Sequence, residues 1–238
     1  MQIWIDEMIS SSVHTASFKF YDSTSEMAAD FNADKLDYVI AYGLEFVKYF
    51  DKSKLVDGFS GGMLNRSDEN IVIVAPYDTD LESIQKITNP IIVLQKSDNI
   101  SKLYAELNIT KDKKVIFLET KKRSGAILKL FFKKADIAIV VKKTFDFAVE
   151  LNPQVGKKLK ILEYSNIPAG SFGYFRKGFD TKIKDEMTEM AFKLTDDERG
   201  RQMLTMFQTN ELVKIKVEDL EPIEKLYTEY ISLKKGKK

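Results

Sequence analysis

Two stretches of this chain share one layout: NADKLDYVIAYGLEFVKYFD (Asn32–Asp51) and FFKKADIAIVVKKTFDFAVELN (Phe131–Asn152). Each runs from a helix end through a turn bearing Lys and Asp into a short apolar strand, then into an aromatic-containing helix. Asp37 and Asp136 take the same place, just ahead of Tyr38–Tyr42 and Ile137–Val141. Two such units, well separated in the chain, constrain it to a pair of α/β lobes. Paired α/β lobes bind ligands between them, so the layout points to a binding module more than to a chemistry.

The middle of the chain repeats the alternation. Ile91–Gln95, Val115–Glu119, Ile137–Val141 and Leu159–Leu162 read as continuous apolar strands, with helices over Ile100–Leu107, Ser124–Lys133 and Phe145–Leu151. That is the pattern of a parallel-type sheet covered on both faces. Upstream, the spacing predicts strands at Ala16–Phe20 and Tyr38–Tyr42, with helices over Gln2–Ser11, Thr24–Phe31 and Leu44–Phe50. Ile71–Ala75 is a buried-type strand ended by Pro76, and the glycines within Leu55–Arg66 predict a hairpin or loop. Polar Tyr77–Ser83 and the Pro- and Gly-broken Ser165–Gly178 read as crossings between lobes. Helices over Lys182–Lys193, Asp196–Phe207 and Val217–Ser232 close the chain, with an extended piece at Leu212–Lys216, and Thr195 with Glu198 fits a capping box. The expected division is 1–80 for lobe 1, 81–165 for lobe 2, and 166–238 for the return crossing and the helices completing lobe 1.

Composition excludes several functions. Lys+Arg 37 against Asp+Glu 36 gives no bulk attraction to nucleic acid, and the lysine-rich tail Lys234–Lys238 reads as a solvated end. No cysteine means no disulfide, thiolate metal site or cysteine nucleophile, and this is compatible with a periplasm. The single histidine, His14, has no partner for a metal site or a Ser-His-Asp triad and reads as a loop residue. Trp4 reads as a packed helix residue, and paired acids such as Asp196/Asp197 complement helix dipoles. No Walker A loop, GxGxxG fingerprint or nucleophile elbow occurs, so neither an enzyme nor a cofactor is expected. No apolar run reaches the ~18 residues that cross a bilayer. The start, MQIWIDEMISSS, carries acids where a leader needs a basic region, so either the protein is cytosolic or a leader has been removed.

In open α/β sheets ligands sit beyond the carboxyl ends of the strands, at helix N-termini. The richest such segment is KSDNIS (Lys96–Ser101), where Ser97, Asn99 and Ser101 offer donors for an oxyanion. Ser97 or Asn99 could equally serve as the helix cap. Asp98 counts against a highly charged anion unless a cation intervenes, and Lys122 or Arg123 of TKKRSG could supply one. Thr120, Ser124 and Thr144 follow their strands in the same manner, and Tyr42 could form a wall or stack on a ligand.

With these segments in hand a family resemblance emerges. FKFYDSTSEMAADFNADKLDYVIAYGLEFV resembles the first-lobe segment of phosphate/phosphite/phosphonate-type periplasmic solute-binding proteins. SGAILKLFFKKADIAIVVKKTFDFAVELNPQVGKKLKILEYSNIPAGSFGYFRKGFD resembles their second lobe and return crossing, and DDERGRQMLTMFQTNELVKIKVEDLEPIEKLY their C-terminal segment. The resemblance implies a two-lobed type II periplasmic-binding fold that closes on its solute by hinge motion. It implies an extracytoplasmic, monomeric component of an ABC importer, with a small anionic solute and an ABC permease as partners. The solute would be held by Ser97, Asn99 and Ser101, faced by Thr120, Arg123, Ser124, Tyr42 and Thr144. The chain starts inside the helix that follows the family's first strand, so the expectation is either a missing N-terminal piece or an atypical member of the family. The family's Ser/Thr-rich anion turn falls on Ser97, Asp98, Asn99 and Ile100, where only Ser97 is kept. A sensory domain of a membrane receptor with the same fold is the alternative expectation. An enzyme on this fold is disfavoured by the missing nucleophile and base.

Overall fold

Short apolar runs bounded by turn residues become strands here, and the amphipathic stretches between them become helices. The computed structural model describes residues 17, 19–62, 66–110, 114–196, 198–206, 209 and 211–235. The chain opens with α1 (Thr24–Asn32), β1 (Tyr38–Tyr42), α2 (Gly43–Tyr49), β2 (Leu55–Val56) and β3 (Gly58–Gly62). It continues through β4 (Asn70–Pro76), α3 (Leu81–Lys86), β5 (Ile91–Gln95), α4 (Asn99–Ala105), β6 (Ile116–Thr120) and α5 (Arg123–Phe131). β7 (Ile137–Val141), α6 (Lys142–Leu151), α7 (Pro153–Lys158) and β8 (Leu159–Pro168) complete this middle part. β9 (Ser171–Arg176), α8 (Thr181–Lys193), α9 (Glu198–Met206), β10 (Glu211–Ile215) and α10 (Glu221–Lys235) follow.

The molecule is α/β and two-lobed. One lobe holds the sheet β1-β9-β2 and the antiparallel pair β10-β3; the other holds a five-stranded sheet in the order β6-β5-β7-β4-β8. Among the described residues parallel pairing is confined to β5 with β6 and with β7, whereas β4 runs antiparallel to both β7 and β8. The sheet is therefore mixed where a parallel one was expected, because β4 and β8 carry the chain between lobes in opposite directions. One sheet face packs Val72, Val74, Ala138 and Val140 against Ile127 and Leu130 of α5 and Phe145 of α6. The other face packs Ile71, Ile73 and Ile139 into a cluster shared with Phe46, Tyr174 and Ile223 of the first lobe.

The two repeated units close their helices alike. Asp34 and Lys133 both have positive φ, 61° and 57°. In each case the next two residues' pattern is that of a Schellman end: Lys35 N donates to Asp30 O and Lys134 N to Lys129 O. Asp37 then binds Arg176 of β9 at 2.8 Å, and Asp136 accepts from the Ile91 N–H of β5 at 2.7 Å. Asp37 thus holds the end of β9, and Asp136 the start of β5.

Several expected elements change. Ser17, Lys19 and Phe20 form no strand; Lys19 and Tyr21 instead converge on Asp30, each at 2.7 Å, and Phe20 is 73% exposed. Ala16, Phe18, the expected helix Gln2–Ser11, Trp4 and His14 lie outside the described residues. The glycine-rich Leu55–Arg66 stretch, expected as a hairpin or loop, yields two strands that pair outward, β2 with β9 and β3 with β10. Gly58 lies so close to Gly173 O that a Cβ would sit 2.3 Å away, so glycine is what permits the strand. The connector Tyr77–Ser83 contains the start of α3, capped by Asp80, whose carboxylate accepts from Ser83 N at 2.7 Å. Thr195 turns its hydroxyl back to Phe192 O instead of capping α9.

Candidate functional site

The carboxyl ends of β5 and β6 lie side by side, with Gln95 opposite Thr120, and β8 ends at Pro168 beside the start of β4. Against this end of the sheet the first lobe sets the start of α2. Between them lies a narrow cleft with about 50 Å³ of free space, in which Tyr42, Gly43 and Glu45 face Ser97, Asn99 and Arg123. Pro168, Ala169 and Gly170, which join β8 to β9, form its back wall.

Asp98 organises the lobe 2 side. It is the N-cap of α4, its Oδ1 accepts from Ser101 N at 3.2 Å, and its side chain is 3% exposed. A carboxylate this buried needs a counter-charge. Arg123, the first residue of α5, supplies it with Nε 3.4 Å from Asp98 Oδ2. The same guanidinium donates from Nη2 to Ala169 O at 3.1 Å, which ties lobe 2 to the β8–β9 connection. Asp98 Oδ2, Arg123 Nε and Ser101 Oγ are buried without a hydrogen-bond partner. These atoms leave unused polar capacity in the site.

Of the residues singled out in the sequence, Tyr42, Ser97, Asn99 and Arg123 come together on this cleft. Tyr42 is 57% exposed there, consistent with a wall and not a core position. Ser101, Thr120, Ser124 and Thr144 do not line it. Ser101 is fully buried behind the Asp98 cap. Thr120 Oγ1 is directed at the carbonyls of Leu94 and Lys122, at 3.2 and 2.8 Å, because a strand-end hydroxyl satisfies the nearest free carbonyls first. Ser124 points to solvent from the first turn of α5, and Thr144 is half-buried behind Lys142 and Lys143, which are engaged by Asp68 and Glu69. Glu45, Gln95 and the Pro168–Gly170 wall enter the site unannounced. Gln95 and the wall carried a signal as a strand end and a crossing, but Glu45 had only the look of a first-turn acid favouring a helix dipole.

Gly43 fixes how closely α2 approaches α10. A Cβ there would meet Ile223 Cδ1 at 2.3 Å and Phe172 Cε2 at 2.9 Å. Among the described residues no group of three or more His, Cys, Asp or Glu could hold a metal ion, and no helix is long and apolar enough to cross a membrane.

Residues 1–220 match the family model described as "ABC transporter, phosphonate, periplasmic substrate-binding protein". The chain belongs to this family. It is thereby a periplasmic-type solute-binding component of an ABC transporter, a transport part and not an enzyme class, with a small-molecule ligand and a membrane permease as partners. Among curated proteins no sequence relative matches. Solved structures share the fold at low identity. A Xanthomonas citri protein bound to ATP aligns with TM-score 0.64 and 10% identity over 98% of this chain and 92% of its own. A binding protein of an ABC phosphonate transporter from Pseudomonas aeruginosa gives 0.61 and 13% over 98% and 81%. PhnD1 from Prochlorococcus marinus, in complex with methylphosphonate, gives 0.60 and 14% over 94% and 89%.

Proposed function

We propose that this family member delivers to its permease a small solute with a singly charged oxyanion head, held in the cleft between the lobes. The observation that carries this reading is the charge of the lining. Arg123 stands against Glu45 and Asp98, one positive group against two negative, so the lining carries a net formal charge of −1. A dianion brought into that field meets net repulsion, and Arg123 already serves Asp98 and Ala169 O. A monoanion can instead take hydrogen bonds from Ser97, Asn99 and the first turn of α2 at smaller electrostatic cost. Tyr42 forms the wall against which the rest of the solute rests. We place the lobe crossings at Asn70 and Pro168, where β4 and β8 meet, in preference to 80/81 and 165/166, and infer a monomeric, extracytoplasmic protein.

Titration calorimetry at pH 8 tests the reading. Methanesulfonate and small carboxylates should bind at least tenfold tighter than inorganic phosphate or methylphosphonate, which are largely dianionic there. Asp98→Asn should narrow or reverse that preference. Binding of dianions ahead of monoanions, or of no anion in the panel, would overturn it. A thermal-shift response to cations alone would do the same.

A further inference from the structure

The two ends of the five-stranded sheet differ in chemistry. One end, with Gln95, Thr120 and Pro168, forms the cleft. Register places Pro76, Ile91, Ile116, Ile137 and Leu159 at the opposite end, about 15 Å away for strands of this length. Helices α5 and α6 start at the cleft end and finish at this far pole, and α7 finishes there as it turns into β8. The pole therefore gathers residues from many separate parts of the chain.

What it gathers is apolar and basic. Tyr77, Ile116, Phe132 and Leu151 are 62%, 48%, 65% and 70% exposed, although each is large enough to favour burial. The lysines Lys129, Lys133, Lys134 and Lys157 stand among them, and among the described residues none is in an ion pair. Lys158 and Lys160 lie over the rings of Phe131 and Tyr77, at 4.7 and 5.6 Å from their centroids. Nearby acids are Asp78, Asp80, Glu82, Asp136 and Glu150; Glu82 pairs with Lys86, and the six lysines Lys129, Lys133, Lys134, Lys157, Lys158 and Lys160 outnumber the other four. Large aromatic and aliphatic side chains interleaved with unpaired lysines match a surface with a negative plane of headgroups over hydrocarbon. An acidic protein would account for the lysines but not for the depth of exposed Phe132 and Leu151.

We propose that this pole of lobe 2 docks on an anionic phospholipid bilayer, independently of what the cleft holds. Charge complementarity commits the occupant: six lysines against four carboxylates leave the ring around the apolar tips net positive. Docking by the pole leaves the cleft end free, so solute capture and membrane contact use separate surfaces.

The test is co-sedimentation of the full chain with vesicles of phosphatidylglycerol and phosphatidylcholine, against vesicles of phosphatidylcholine alone. Binding is expected to the anionic vesicles only, and to weaken as salt is raised. Lys133→Glu/Lys134→Glu/Lys157→Glu should lower partitioning by more than about 100-fold, from roughly fivefold per lysine. Phe132→Ser/Leu151→Ser should lower it as well, while calorimetric solute binding and thermal midpoint of both variants stay near the parent's and so certify the fold. Equal binding to neutral vesicles, or no binding to either, overturns the proposal. So does a concentration-dependent dimer in sedimentation velocity that Phe132→Ser/Leu151→Ser abolishes, since the face would then belong to a second copy.

Discussion

Arg123 touches two parts of the cleft at once, with Nε facing Asp98 and Nη2 on Ala169 O. Removing it leaves the Asp98 carboxylate buried with Oδ2 unmatched, and such broken pairs are costly where the remaining charge cannot reach water. Arg123→Ala should lower unfolding stability by about 2–4 kcal/mol in urea titrations. Arg123→Ala/Asp98→Asn should cost less than Arg123→Ala alone, because no charge is then stranded. Arg123→Lys keeps the charge but not the fork, so it should hold the fold better than it holds solute. Tyr104 makes a second residue-scale point. Its hydroxyl donates to Glu163, and burial first, then this carboxylate, push its pKa up. The folded state therefore resists ionising Tyr104 while the unfolded chain ionises near pH 10. Stability is fully present below that pH and is lost as pH rises through it toward the raised folded value. Tyr104→Phe should be less stable than the parent at pH 7, through the lost hydrogen bond, yet show a shallower decline between about pH 9.5 and 11 when urea midpoints are compared.

At the scale of elements, two glycines separate packing that can give from packing that cannot. A Cβ on Gly43 meets Ile223 Cδ1 at 2.3 Å, the far end of a flexible side chain, with Phe172 Cε2 next at 2.9 Å. A Cβ on Gly58 meets the carbonyl oxygen of Gly173 at 2.3 Å, which only a shift of β3 away from β9 could relieve. Gly58→Ala should therefore cost more than about 2 kcal/mol, and Gly43→Ala about 1–3 kcal/mol, in thermal or urea denaturation. Ile223→Val should recover part of the Gly43→Ala loss, and no such single side-chain change should rescue Gly58→Ala. The same contrast explains which elements could be read from residues alone. β5 and β7 keep their expected bounds because runs of four and five apolar residues, covered on both faces, have no competing periodicity. β3, written GFSGG, carries a loop composition and becomes a strand only because β10 and Tyr38 pack on it. In the site, Ser97, Asn99 and Arg123 followed from the rule of strand carboxyl ends. Thr120 obeyed the same rule and still faces away, since neighbouring carbonyls settle its hydroxyl and no spacing in the chain reveals them.

At the scale of the whole molecule, α10 packs on α2 of the first lobe and also reaches the second. Its early residue Ile223 packs against Gly43 and Phe172, while near its end Lys234 pairs with Glu106 at 2.7 Å. Glu106 directly follows α4, whose opposite end carries the Asp98 cap and Asn99 of the cleft. A helix thus runs from the cleft to an interlobe ion pair, and any hinge opening that parts α4 from α10 must stretch that pair. The pair is half exposed, so its worth in isolation is small, under about 1 kcal/mol, and falls with salt. An opening equilibrium of a few kcal/mol is nevertheless sensitive to a change of that size. Lys234→Glu or Glu106→Lys alone should enlarge the radius of gyration in solution scattering without solute. Each should also weaken solute affinity by up to about fivefold, and combining them should return both readouts toward the parent. The single-variant effects should shrink in 0.5 M salt because the interaction is screened there. Equal affinities for parent, single and double variants at low salt would show that α10 rides with lobe 2 through closure, and that the hinge lies on the far side of Glu106.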